Sequence, residues 1–174
     1  MSSVLKVSEI QDPTNGNSAL TVDAAGRVLT PARPVFMAPG NASGYTNVSV
    51  SNTIIPNWNT SDSTISIVQG GMSFSSSGVT VPVAGIYEVF GSVIFKAENA
   101  EYGLLMIYRN NDRITLSQKY NQTTGGTVED ATITKGFVNC AAGDVLSLRE
   151  QGSGAQWYNN GTYGTFSVQL IGIG

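Results

Sequence analysis

From about residue 33 to the end of the chain, short apolar-alternating runs recur between turn signals, at intervals that suit the strands of a β-sandwich. They predict strands over 35–37, 63–68, 72–74, 78–81, 85–96, 103–109, 114–118, 130–139, 145–151 and 164–171. Leu104, Met106 and Tyr108 share one face, as do Leu146 with Leu148, and Phe166 with Val168 and Leu170. The run GIYEVFGSVIFK is apolar on both faces, as expected of a central strand covered on one side by a second sheet and on the other by a neighbouring subunit. Turn chemistry punctuates the runs: RNND at 109–112, TTGG at 123–126 and NNG at 159–161.

Composition agrees with this reading. Charged residues make up 12% of the chain, about half the usual share for a soluble globular protein. Ser, Thr, Asn and Gly take their place, and these suit sheets and tight turns better than solvated helix faces. With 174 residues there is room for one well-packed domain and a short extension.

That extension is residues 1–32, which hold two apolar-alternating pieces, 4–10 and 19–28, around the turn-rich DPTNGNS. Pro31 and Pro34 stiffen the exit into the main domain, 33–174. So short a segment buries no core of its own; it docks, oligomerises or binds another protein. Val4, Leu5, Val7, Ile10, Leu20, Val22 and Val28 are its apolar positions, and the segment reads as an attachment or oligomerisation arm.

Several function classes are disfavoured. A net charge of −3, with no cluster of Lys and Arg, argues against nucleic acid and against an anionic membrane surface. No apolar run approaches the roughly 18 residues of a spanning helix. MSSVLKVSEIQD has no apolar signal core, so synthesis in the cytoplasm without Sec export is expected. There is no histidine, which removes the commonest general base and metal ligand. Cys140, the single cysteine, sits in GFVNCAAGD and reads as a buried, inert thiol.

Acid–base chemistry would fall to Glu98, Glu101, Asp112, Glu129 or Asp130, each beside turn residues where a solvated role is the plainer reading. No catalytic residue, cofactor or metal site is assigned. Sequons at Asn41, Asn47, Asn59, Asn121 and Asn160 follow from the Asn/Ser/Thr-rich composition. Trp58, in IIPNWNTSD, and Trp157 with Tyr158, in GAQWYNNGTYG, lie in loop-like settings. They are candidate contacts for a sugar or receptor; the plainer alternative is that they plug the sandwich ends or pack between subunits.

Four phrases occur in a familiar order: PVFMA, GVTVPVAGIYEVFGSV, LLMIYRNNDR, and FVNCAAGDVLSLRE followed by YGTFSVQLIG. Together they make residues 33–174 resemble the complement-globular-head and tumour-necrosis-factor-like jelly roll, with the Asn- and Ser-rich stretch 40–64 departing from the pattern. The resemblance implies an all-β antiparallel jelly-roll sandwich of about ten strands that forms a homotrimer. Relatives with this fold sometimes hold calcium near the trimer axis; Asp62, Asp112 and Asp130 could contribute, but their spacing specifies no site.

The opening phrase LKVSEIQDPTNGNSALTVDAAGRVL resembles the N-termini of bacteriophage virion proteins. It implies a particle-surface protein. A secreted animal relative would be expected to carry a signal peptide and a collagen-like stalk. The favoured expectation is a non-enzymatic capsid decoration or cement protein, anchored through its arm to the major capsid protein or another virion protein. The alternative is a tail-fibre or head-fibre module that binds a host surface glycan or protein. A third class, a glycan depolymerase, would need a groove with two facing carboxylates.

Overall fold

The computed structural model describes residues 8–11, 18–30, 33–98, 100–120, 126–159, 161 and 163–172, and among them there is no helix. The strands are β1 (Glu9–Gln11), β2 (Ser18–Val22), β3 (Val28–Leu29), β4 (Val35–Pro39), β5 (Thr46–Asn47), β6 (Thr53–Ile54), β7 (Ile67–Gln69) and β8 (Ser73–Ser75). They continue with β9 (Gly78–Thr80), β10 (Gly85–Ala97), β11 (Tyr102–Arg109), β12 (Asp112–Tyr120), β13 (Val128–Cys140), β14 (Val145–Ser153), β15 (Gln156–Tyr158) and β16 (Thr165–Gly172).

GIYEVFGSVIFK is the central strand, β10. One edge pairs with β13 over its full length; the other pairs with β16 from Ile86 to Ser92 and with β15 from Ile94 to Lys96. β4 and β7 extend this sheet beyond β16, and β5 extends it beyond β15. The facing sheet runs β12–β11–β14–β9–β8, with β6 also on β14. Among the described residues the strand ladders are antiparallel, and several join distant parts of the chain, as β4 with β16 and β9 with β14 do. This is the jelly-roll connectivity. β1, β2 and β3 form a small sheet of their own.

The core follows from the alternation. Tyr87, Val89, Val93, Phe95 and Ala97 point from β10 toward Leu105, Ile107, Leu146 and Leu148 of the facing sheet, all buried. Phe36 bridges Phe74 and Phe166, with ring centroids 5.4 and 5.5 Å away. Two glycines let the sheets approach. A Cβ on Gly91 would lie 2.3 Å from the Leu148 side chain, and one on Gly103 would lie 2.5 Å from the Phe95 ring.

One end of the sandwich is tied by polar groups. The Tyr87 hydroxyl donates to the Val83 carbonyl at 2.9 Å, so the buried ring carries no unmet donor. Asn110, at φ +53° in the RNND turn, donates through Nδ2 to Asp144 and accepts from the Val145 N–H, joining that turn to the Ala-Gly-Asp turn. Arg149 lies over the Tyr108 ring, 4.3 Å from its centroid.

The structure departs from expectation in two places. The predicted strand 63–68 is largely a turn, because Asp62 Oδ1 captures both the Thr64 N–H and hydroxyl and its carbonyl takes the Ser66 N–H. Short strands β5, β6 and β15 are added to the ten expected.

Gly103→Ala should destabilise the fold by about 1–3 kcal/mol, since the methyl meets a fully buried ring. Gly44→Ala, whose added Cβ meets nothing within 4 Å, should stay within about 0.5 kcal/mol. Urea titrations of the two variants check both.

Candidate functional site

Trp58 and Trp157 are not available to a ligand. Trp58 is buried, its indole Nε1 donates to the Ile55 carbonyl at 2.8 Å, and its ring packs 5.5 Å from Phe166. Trp157 is buried between Phe95 on β10 and Thr46 on β5. The area that makes an indole attractive to a ligand also makes its own burial favourable, and here burial prevails. Both close the interior at one end of the sandwich.

Tyr158, the third aromatic singled out by sequence, points to the opposite side of β15 and stays half-buried. It lies beside two tyrosines the sequence reading passed over. Tyr45 is 5.1 Å away and Tyr163 5.9 Å away, both tilted, and both are well exposed, at 38% and 49%. Lys96 Nζ sits 5.4 Å above the Tyr45 ring. Partial burial, and then a hydrogen-bonded Glu129 carboxylate, push the Tyr45 phenol above its ordinary range.

Two clefts flank this ring row. One, of about 300 Å3, is lined by Asn41, Ser43, Tyr45, Thr46 and Asn57, with Ala42 and Gly44. The other, of about 200 Å3, is lined by Lys96, Glu98, Glu101, Gly154 and Gln156. The loops are stitched together from beneath. The Asn57 carbonyl accepts from the Asn41 N–H at 3.0 Å and from Asn159 Nδ2 at 2.8 Å. Gly40 N–H donates to Gly164 at 2.9 Å, and any Cβ on Gly40 would collide with the Asn159 backbone. Gln156 Nε2 donates to Asn47 Oδ1 at 3.0 Å. Tyr45, in NASGYTN, had the same signal as Tyr158: an aromatic among Gly, Ser and Asn.

The five candidate carboxylates are dispersed. Glu98 and Glu101 share the smaller cleft, where the Glu101 carboxylate accepts the Glu98 N–H at 2.6 Å. Asp112 faces Arg109 at 3.7 Å. Asp130 is paired with Lys119 at 2.8 Å, which holds it below the usual carboxylate range. Glu129 serves Tyr45. Asp62, considered for calcium with Asp112 and Asp130, is spent on its own turn. Among the described residues, no three His, Cys, Asp or Glu side chains are grouped to hold a metal ion.

Among the buried titratable groups of the described residues, Cys140 and Glu150 are displaced furthest from their ordinary values. Cys140 is an interior thiol pushed up to about 11, first by burial and then by Asp144. Glu150 went unnoticed in the sequence because an alternating strand predicts an apolar residue at its position. It is 2% exposed, its two oxygens share the Ser49 N–H at 2.9 and 3.1 Å, and burial raises it to about 7.

In the arm, Ile10 pairs across the ladder with Leu20, and Leu20 and Val22 alternate onto the same face of the small sheet. Ile10 and Val22 are exposed there. Asp23 fixes the following hairpin by accepting the Ala25 and Arg27 N–H groups and pairing with the Arg27 guanidinium at 2.6 Å. Val28 pairs through its backbone with Val22. Val4, Leu5 and Val7 lie outside the described residues.

No protein-family model matches the chain, and no curated protein matches it. Among solved structures, the Eiger tumour necrosis factor of S. frugiperda is similar, with a TM-score of 0.65 at 13% identity, covering 82% of this chain and 94% of that one. At that identity the likeness bears on the fold alone, and it agrees with the jelly roll expected from the four ordered phrases.

Glu150 gives a pH prediction. A folded-state value near 7 against an ordinary 4.5 means its contribution is fully present below about pH 4.5. That contribution, about 3 kcal/mol by linkage, is lost as pH rises through 7. Glu150→Gln keeps the acceptor for Ser49 and cannot ionise. Its urea midpoint should lie close to the parent's at pH 4 and exceed it at pH 8; an equal difference at both would remove the assignment.

Proposed function

We propose that this chain is a non-enzymatic, homotrimeric surface protein of a bacteriophage particle, a decoration or cement protein held to the shell by residues 1–32 with the jelly roll outward. The observation that carries the self-association is the uncovered face of the β10 sheet. Ile133 and Phe137 on β13 are 54% and 61% exposed, and they stand across the ladder from Ser92 and Glu88 of β10. Ile86, Phe90 and Ile94 alternate along β10 on that same side. A row of large apolar side chains on a rigid sheet is a surface that association would cover favourably.

Charge does not prevent that burial. Lys135 Nζ lies 3.2 Å from Glu88 and 5.7 Å from the Phe137 ring centre, so the two charges of the patch already neutralise each other. Closed symmetry of order three suits both shell positions and fibre axes, and it is what the family resemblance implies.

The arm supports attachment. It presents Ile10, Leu20 and Val22 on one side of a three-stranded sheet too small to bury them itself. Covering that stripe on neighbouring shell subunits would favour the assembled shell by mass action. The bacteriophage setting is supported by the likeness of the opening phrase to virion proteins. A second reading, a fibre module that displays one end of the sandwich to the host, is favoured by the exposed tyrosine row.

Light scattering should give a mass three times the 18.3 kDa of one chain, and Phe137→Asp with Ile133→Asp should give a folded monomer. A monomeric parent would end the trimer reading. Ile10→Asp with Val22→Asp should abolish co-sedimentation with particles lacking this protein while leaving mass and circular dichroism unchanged. Retained co-sedimentation would remove the arm as anchor.

A further inference from the structure

We propose that the row Tyr163–Tyr158–Tyr45 and the cleft beside it form a binding site for an uncharged glycan chain. The inference rests on the second reading above for its biological setting and on the geometry alone for its chemistry.

Three aromatic rings meet here from three separate segments: the loop before β5, the strand β15 and the loop before β16. Centroid spacings of 5.1 and 5.9 Å, with tilts of 36° and 42°, pack the two outer rings against Tyr158, and those outer rings keep part of their surface in water. A pyranose ring has an apolar C–H face and an equatorial rim of hydroxyls. Its face gains by covering an exposed aromatic surface, and its rim needs donors and acceptors close to that surface.

The larger cleft supplies that rim. Its polar side chains are Asn41, Ser43, Thr46 and Asn57 together with the Tyr45 phenol. Amides and hydroxyls both donate and accept, which matches sugar hydroxyls that do the same. No charged side chain lines this cleft among the described residues, so a sulfate or carboxylate on the sugar would lose hydration with no cation to replace it. The chemistry selects a neutral sugar. On the other side of Tyr45 the second cleft carries Lys96, Glu98 and Glu101 beside Gln156, so polar partners lie on both sides of the ring row, and the selection for an uncharged sugar belongs to the larger cleft.

The site is also pre-shaped. Asn57, Asn41 and Asn159 are hydrogen-bonded beneath it, and the buried Trp58 and Trp157 support its floor. Ordering costs on binding are therefore small. Clefts walled by amide and hydroxyl groups fit poorly with the dry centre of a subunit contact, whereas the apolar patch around Phe137 fits it well.

Saturation-transfer NMR on the full chain with hexasaccharides of glucose, mannose and N-acetylglucosamine tests the site. Transfer to at least one of them is expected, with Tyr45→Ala and Tyr158→Ala each weakening it tenfold or more and Asn41→Ala weakening it less. Light scattering on the same samples should show the oligomeric mass unchanged. No transfer from any of the three overturns the proposal, as does retained binding in the Tyr45→Ala/Tyr158→Ala double variant. A double variant that falls from trimer to monomer also overturns it, because the rings would then be subunit contacts. Binding by a monomeric parent supports the glycan site and removes only the trimer.

Discussion

The thirteen residues of β10 are hydrogen-bonded on both edges, to β13 along one and to β16 and then β15 along the other. Double pairing leaves no register freedom, because a slip of one residue would turn Tyr87, Val89, Val93 and Phe95 out of the interior and put Glu88 and Lys96 into it. Both faces of the sheet are thereby specified at once. The inner one meets Leu105, Ile107, Leu146 and Leu148 closely enough that glycine is required at 91 and 103. The outer one carries Ile86, which is exposed, and Phe90 and Ile94, which are half-buried.

The hand-over from β16 to β15 along one edge of β10 also creates the tyrosine row. A single uninterrupted strand would have bonded β10 throughout; instead β15 ends at Tyr158 and β16 begins at Thr165, and Tyr163, between them, lies beside Tyr158. The loop can leave the sheet because its root is anchored, with Asn159 wholly buried and bonded to Asn57, and with Gly40 and Gly164 giving it space. The buried indoles make the excursion tolerable by keeping the sandwich end filled.

Much of this was legible in residue order. Leu146 with Leu148 on β14, and Phe166, Val168 and Leu170 on β16, alternate, β10 reads as a central strand apolar on both faces, and the turns carry Asn, Gly or Asp at positions whose geometry demands them, such as Asn110 at φ +53° and Gly143 at φ +88°. Other features were hidden for physical reasons. LLMIY is apolar at every position, so alternation cannot say that Leu105 and Ile107 face the core while Met106 and Tyr108 are covered from the other side. β5 and β15 are two and three residues long and meet across about a hundred positions, so neither has a local signal. Loop-like settings singled out Trp58, Trp157 and Tyr158 alike, yet the two larger indoles are the rings the interior claims, and hydroxylated Tyr158 stays half-buried.

Low charge connects these features. With only 12% charged residues, surface polarity is carried by amides and hydroxyls, and the few ions are mostly used locally: Asp23 with Arg27, Lys119 with Asp130, Glu88 with Lys135. Such a surface exerts little long-range field, so it neither steers charged partners nor strongly repels a second copy of itself. Contacts must then be made at short range, by apolar cover where the sheet is bare and by hydrogen-bond matching where the loops are polar. The β10 face offers the first and the tyrosine end the second. The same strand lays down both: its middle leaves Phe90 beside Phe137 and Ile133 on β13, and its last residues set Ile94 beside Tyr158 and Lys96 over the Tyr45 ring.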